Sequence, residues 1–132
     1  GQTHRTMKRE SPIYRLGFSP DGRILATGTY DGAVTLWDPA SGSEIRTLPE
    51  LGGDGSSGSV RAIVFSPDGR TLAIAHQCSN GAVRFWEVAT GKLVRAVRYQ
   101  DSCVCLALSF HPSGRGLAVD GPHQAELWGP PE

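Results

Sequence analysis

Ile13-Tyr-Arg-Leu-Gly-Phe-Ser-Pro-Asp-Gly-Arg23 decides the fold because it does not occur once. It returns as Val60-Arg-Ala-Ile-Val-Phe-Ser-Pro-Asp-Gly-Arg70 and again, eroded, as Cys105-Leu-Ala-Leu-Ser-Phe-His-Pro-Ser-Gly-Arg115. Self-similarity at a fixed period is the signature of repeat architectures. Each copy begins with an apolar-alternating stretch, the period-two pattern of a half-buried strand, and ends on Phe18, Phe65 or Phe110. A Pro-containing turn follows. Proline presets φ at the first turn position, and Gly22, Gly69 or Gly114 accepts the positive φ needed to close it.

Working outward, each turn leads to a second strand, over 24–28, 71–75 and 116–119. A third follows over 33–37, 82–86 and 125–128, ending on Trp37, Trp86 or Trp128. Asp31-Gly32 and Asn80-Gly81 join second to third strand in the first two copies, and these are the dipeptides a tight hairpin favours. A fourth strand is expected over 44–48 and 93–97, after the turns at Ser41-Gly42 and Thr90-Gly91. No stretch sustains a 3.6-residue period, so no helix of consequence is expected.

Phe-Ser-Pro-Asp-Gly at 18–22 and 65–69, Asp31-Gly32, Trp37-Asp38 and Trp86-Glu87 stand in one register, and together they resemble the WD-repeat family over nearly the whole chain. The resemblance implies an all-β fold of three four-stranded antiparallel blades of a WD40-type β-propeller, packed around a central channel. It also implies a non-enzymatic platform for protein partners. Many repeats of this kind carry a Gly-His dipeptide before the first strand, whose His bonds a Ser or Thr, the turn Asp and the Trp. None of the three copies here has that His, so the network is expected to be incomplete. The third copy has also lost the Asp-Gly turn, with Gly121-Pro-His-Gln124 in its place, and is expected to be the least regular.

The two ends carry a further expectation. Gly1-Gln-Thr-His-Arg5 has the form of the fourth-strand starts Gly42-Ser-Glu-Ile-Arg46 and Gly91-Lys-Leu-Val-Arg95. Joining Glu132 to Gly1 restores an unbroken repeat. The organisation read from this is an outer strand at 1–7, a first blade at 8–48, a second at 49–97, and a third at 98–132 that lacks its outer strand. Uncovered blade faces cost roughly 25 cal/mol per Å² of apolar surface. Thr3, His4, Arg5, Thr6 and Met7 are therefore expected to form a latch that completes the third blade of a second copy, in a head-to-tail ring. Whole copies give six blades as a dimer or nine as a trimer. Rings of the family mostly hold seven or eight blades, so the trimer is narrowly preferred because nine is the smaller departure from eight, although dilution favours the smaller ring. The rival is a longer polypeptide that closes the ring covalently.

Composition excludes several classes. Lys+Arg and Asp+Glu both number 13, so the basic excess of a non-specific nucleic-acid binder is missing. No apolar run approaches the roughly 18 residues of a membrane span. Three cysteines do not form a disulfide framework, and Cys103 and Cys105 project from the same strand face, which points to reduced thiols and a cytoplasmic setting. Gly53-Asp-Gly-Ser-Ser-Gly58 matches G-x-G-x-x-G but leads into a strand, so it lacks the helix N-terminus that cradles phosphate and reads as a loop. Cys103-Val-Cys105 is too tight for a structural zinc pair. His76 and Cys78, on a loop edge, could capture a metal only by accident. No nucleophile, paired-carboxylate or metalloprotease motif appears, so no enzyme, cofactor or metal is expected.

By the resemblance, partner contacts come from the rim where first strands begin and second-to-third-strand turns emerge. Tyr14, Tyr30, Arg61 and Ser79 are the candidates there, and Tyr and Arg are common interface anchors. Three readings of function follow: an oligomeric interaction scaffold, a fragment whose only property is self-assembly, and a propeller that binds a small ligand or glycan in its channel.

Overall fold

A computed structural model of the chain describes residues 6, 9–48, 58–76, 82–98, 108–120 and 125–128. Among these it contains strands and turns only, in three antiparallel sheets. The first sheet orders β1 (Ile13–Phe18), β2 (Leu25–Thr29), β3 (Val34–Asp38) and β4 (Ser43–Thr47) consecutively. The second repeats this with β5 (Val60–Phe65), β6 (Thr71–His76), β7 (Ala82–Glu87) and β8 (Leu93–Arg98). The third has three described strands, β9 (Leu108–Phe110), β10 (Leu117–Asp120) and β11 (Ala125–Trp128). The strands fall within a residue or so of the expected positions, except that the third copy's first strand, expected from Cys105, is described only from Leu108 because residues 105–107 lie outside the described residues. No helix occurs among the described residues.

Alternation along the second sheet feeds two cores. Val60, Phe65, Leu72, Ile74 and Trp86 face the first sheet and meet Ala26, Val34, Leu36 and Leu48. The intervening residues Ala62, Ala73, Ala75 and Val83 face the third sheet and meet Leu117 and Val119. A sheet covered on both faces has central strands buried throughout, and β6 is buried over all but its first residue. Gly28 sets how closely the first two sheets approach, since a Cβ there would lie 2.3 Å from Val60 Cγ1 and 2.6 Å from Val60 Cβ. Arg46 on β4 ties the outer side of the same seam by donating to the Ala89 carbonyl (2.9 Å).

The repeated turn is built identically in the first two copies. The Ser19 hydroxyl donates to Asp21 (2.6 Å), which also accepts from the Arg23 amide, and Ser19 Oγ accepts from the Ile24 amide. Ser66, Asp68, Arg70 and Thr71 reproduce every bond. In the third copy the His111 ring stands where Ser stood and Ser113 where Asp stood, 2.8 Å apart, and Ser113 Oγ still accepts the Arg115 amide. The glycines that close the three turns have φ of 73°, 74° and 78°. The serine bond, then the Arg23 amide bond, holds the Asp21 carboxyl below its ordinary value, and Asp68 is lowered the same way by Ser66 and Arg70.

No Gly-His histidine is present to make that network, but two side-chain bonds among Thr, Asp and Trp residues stand in the first sheet. The Trp37 indole donates to Thr27 (2.9 Å), and the Thr29 hydroxyl donates to Asp31. Arg9 lies across this outer face, its guanidinium 5.4 Å from the Trp37 ring centroid and bonded to Thr35, Thr47 and Glu44. Of the expected latch, Thr6 is exposed and outside any described strand, while Thr3, His4, Arg5 and Met7 lie outside the described residues.

Candidate partner-binding rim

Regular pairing breaks at two equivalent places in each of the first two sheets, once between the third and fourth strands and once where the first strand begins. On β1 the register runs from Ile13 opposite Thr29 to Arg15 opposite Gly28, so Tyr14 is the extra residue of a bulge. On β5 it runs from Val60 opposite His76 to Ala62 opposite Ala75, so Arg61 is the extra residue there. A bulge takes a residue out of the ladder and re-aims its side chain. Both bulges lie where first strands begin, the rim from which the β2–β3 turn carrying Tyr30 also emerges.

Three of the four expected rim residues meet in this way. The Tyr14 and Tyr30 rings pack edge to face, centroids 5.3 Å apart at 74°, and the Arg61 guanidinium lies 5.8 Å from the Tyr14 centroid. Both tyrosines are exposed. The fourth, Ser79, lies outside the described residues. Aromatic side chains contribute large contact area at low cost in conformational freedom, and a cation over a tyrosine face adds roughly 0.5–1 kcal/mol where exposed. The chemistry available is that of a contact surface: aromatic edges, a guanidinium and main-chain groups.

Two contributors to this rim are not obvious in the sequence. Arg15 donates through Nε to the Arg61 carbonyl and through a terminal nitrogen to the Tyr14 carbonyl, both at 2.9 Å. His76 is the second. It is the buried last residue of β6, not a loop-edge residue, and its Nε2 lies 3.0 Å from the Gly32 carbonyl, so its N–H donates across the seam to the β2–β3 turn. Burial, more than any other cause, holds its pKa below 6.5, with Arg84 adding to the effect and the Gly32 bond opposing it. With one ring nitrogen committed to the main chain, His76 has a structural role. No cluster of three potential metal ligands occurs among the described residues, and Cys78, Cys103 and Cys105 lie outside them.

A separate cavity of about 270 Å³ lies between the second and third sheets, lined by Phe85, Val94, Val97, Phe110 and Leu117 with Arg95 and Arg115 among its polar residues. It does not include any of the rim residues. No helix among the described residues is long and apolar enough to cross a membrane.

Comparison with known proteins gives a consistent picture. A family model described as WD domain, G-beta repeat, matches residues 1–38, and one described as the anaphase-promoting complex subunit 4 WD40 domain matches residues 48–111. The chain is 34% identical over 84% of its length to telomerase protein component 1 of Rattus norvegicus, of which it spans 4%. It is 33% identical over 76% of its length to the guanine nucleotide-binding protein subunit beta of Solanum tuberosum, of which it spans 27%. Among solved structures, the β-propeller domain of Myceliophteria thermophila Cps50 (Swd1) superposes on 92% of the chain with a TM-score of 0.76 and 26% identity, and the chain covers 37% of that domain. The chain thus spans a small part of each of these proteins.

Proposed function

We propose that this chain, which belongs to the WD-repeat family, is a non-enzymatic platform that presents the Tyr14–Tyr30–Arg61 rim to a protein or peptide partner. One observation carries the reading. Residues far apart in sequence are brought into a single exposed aromatic–arginine patch by bulges at equivalent places in two sheets. Patches of this composition are typical interface anchors. Photo-crosslinking tests it: benzoylphenylalanine replacing Tyr30 should yield partner adducts that Tyr14→Ala and Arg61→Gln abolish. The same probe replacing Arg70, on the opposite rim, should yield none. Equal yields at the two rims would refute the reading.

The exposed outer face of the first sheet supports a second reading, self-assembly. Phe18 is 58% exposed and Leu16 60%, whereas Phe65, the counterpart of Phe18 in the second sheet, is 6% exposed. On this reading the three sheets are propeller blades and a second copy covers the open face. Residues 1–7 serve as the outer strand of the neighbour's third blade, in a nine-bladed trimer in preference to a six-bladed dimer. The odd cysteine count fits a reducing, cytoplasmic setting for such an assembly. Light scattering at micromolar concentration should return three chain masses; a folded monomer would eliminate this reading.

A further inference from the structure

We infer that Arg15 is the positioning residue of the rim, a clamp that holds the two bulges of neighbouring sheets as one composite site; the inference rests on the rim being where the partner binds. Bulging removes Tyr14 and Arg61 from regular pairing, and the main-chain carbonyl of each takes a side-chain donor. Arg15 supplies it to both, at 2.9 Å each. The guanidinium is a rigid planar fork, so two simultaneous bonds fix the separation of the two carbonyls. They thereby fix where the side chains of Tyr14 and Arg61 stand.

The geometry also determines what spans the clamp. Tyr14 and Arg15 come from the first sheet and Arg61 from the second, so the Arg61–Tyr14 stack crosses the seam between two repeats. A second cross-seam bond, from His76 to Gly32, holds the turn next to Tyr30. The site belongs to a pair of repeats, and a partner that uses all three side chains must bridge them. Arg46 offers an internal contrast, since it also donates to a carbonyl across the same seam but at the outer strand, away from the rim.

Two readouts on the whole chain test this. In Arg15→Met, the nuclear Overhauser contacts between the Tyr14 and Tyr30 rings should disappear, and crosslinking from position 30 should fall at least fivefold, with cooperative unfolding retained. Arg46→Met should leave both signals intact, and Arg15→Lys, which keeps the charge but not the fork, should restore them only in part. The inference is overturned if Arg15→Met keeps the ring contacts, or if Arg46→Met abolishes them equally. Should Arg15→Met fail to fold, the Arg15→Lys ring contacts decide: full retention overturns the clamp. Because the ring contacts need no partner, their loss without any wild-type crosslink would refute the partner reading while leaving the clamp standing.

Discussion

The first and second sheets carry the same Phe-Ser-Pro-Asp-Gly turn, the same bulge and a tryptophan at the same register, yet the two copies meet different surroundings. Phe65 is sealed between sheets while Phe18 stands in the open. The tryptophans differ in the opposite sense. Trp37, on the uncovered side, has its indole N–H satisfied by Thr27 and its ring covered by Arg9. Trp86, deep in the seam, has Ile74 where Thr27 stood, and its indole nitrogen is buried without a hydrogen-bond partner. The open sheet spends polar groups to shield its tryptophan, and the covered sheet exchanges that bond for apolar packing. One sequence template therefore supports two ways of stabilising a blade-like sheet, and neighbours determine which is used.

Truncating the two phenylalanines breaks the comparison most directly. Phe65→Ala should cost about 3–5 kcal/mol in urea unfolding, the range for a buried aromatic. Phe18→Ala should cost less than about 1 kcal/mol, as expected of an exposed site in the isolated chain. Similar costs would mean that a neighbour covers the first sheet. The tryptophan bond gives a smaller effect. Thr27→Val should cost about 1–3 kcal/mol by leaving the Trp37 N–H buried and unpaired. Ile74→Thr, which offers Trp86 an acceptor at the cost of apolar contact, should stay within about 1 kcal/mol of wild type. A large loss in the second case would show that packing outweighs the indole bond in the seam.

The smallest expected effect is a pH dependence of the seam. The folded-state pKa of His76 lies below its unfolded value of 6.5. The unfolded chain then binds the proton first, so stability is complete above 6.5 and declines as the pH falls through that value toward the folded pKa. Asp21 and Asp68 act only lower, since their depressed pKa values give stability that is present above 3.8 and lost beneath it. Thermal melts from pH 7 to 5 should therefore show a decline that His76→Gln flattens; an unchanged slope in that variant would remove His76 from the explanation.

Much of the fold was legible in the sequence because period-two alternation and turn chemistry are local. The positions of the strands needed only the apolar pattern around Phe18, Phe65 and Phe110 and the glycines after them. The rim was legible in part. Tyr14, Tyr30 and Arg61 could be named from the resemblance, but a bulge arises from competition between pairing and twist across two strands, and no single strand spells it out. Arg15 was missed because its partners are main-chain carbonyls, which every residue possesses and no motif marks. His76 read as a loop-edge residue beside Cys78, whereas β6 extends to it and buries it against Gly32, a contact 44 residues distant.

The bulges have a last consequence, for how such a surface can change over time. Tyr14 and Arg61 belong to no pair in the strand ladder and to neither of the two cores. Side chains at these two positions can be exchanged without shifting a strand by a residue or refilling a core. Recognition can drift there while the architecture beneath stays constant, so each further repeat is a fresh opportunity to write a different message on the same frame.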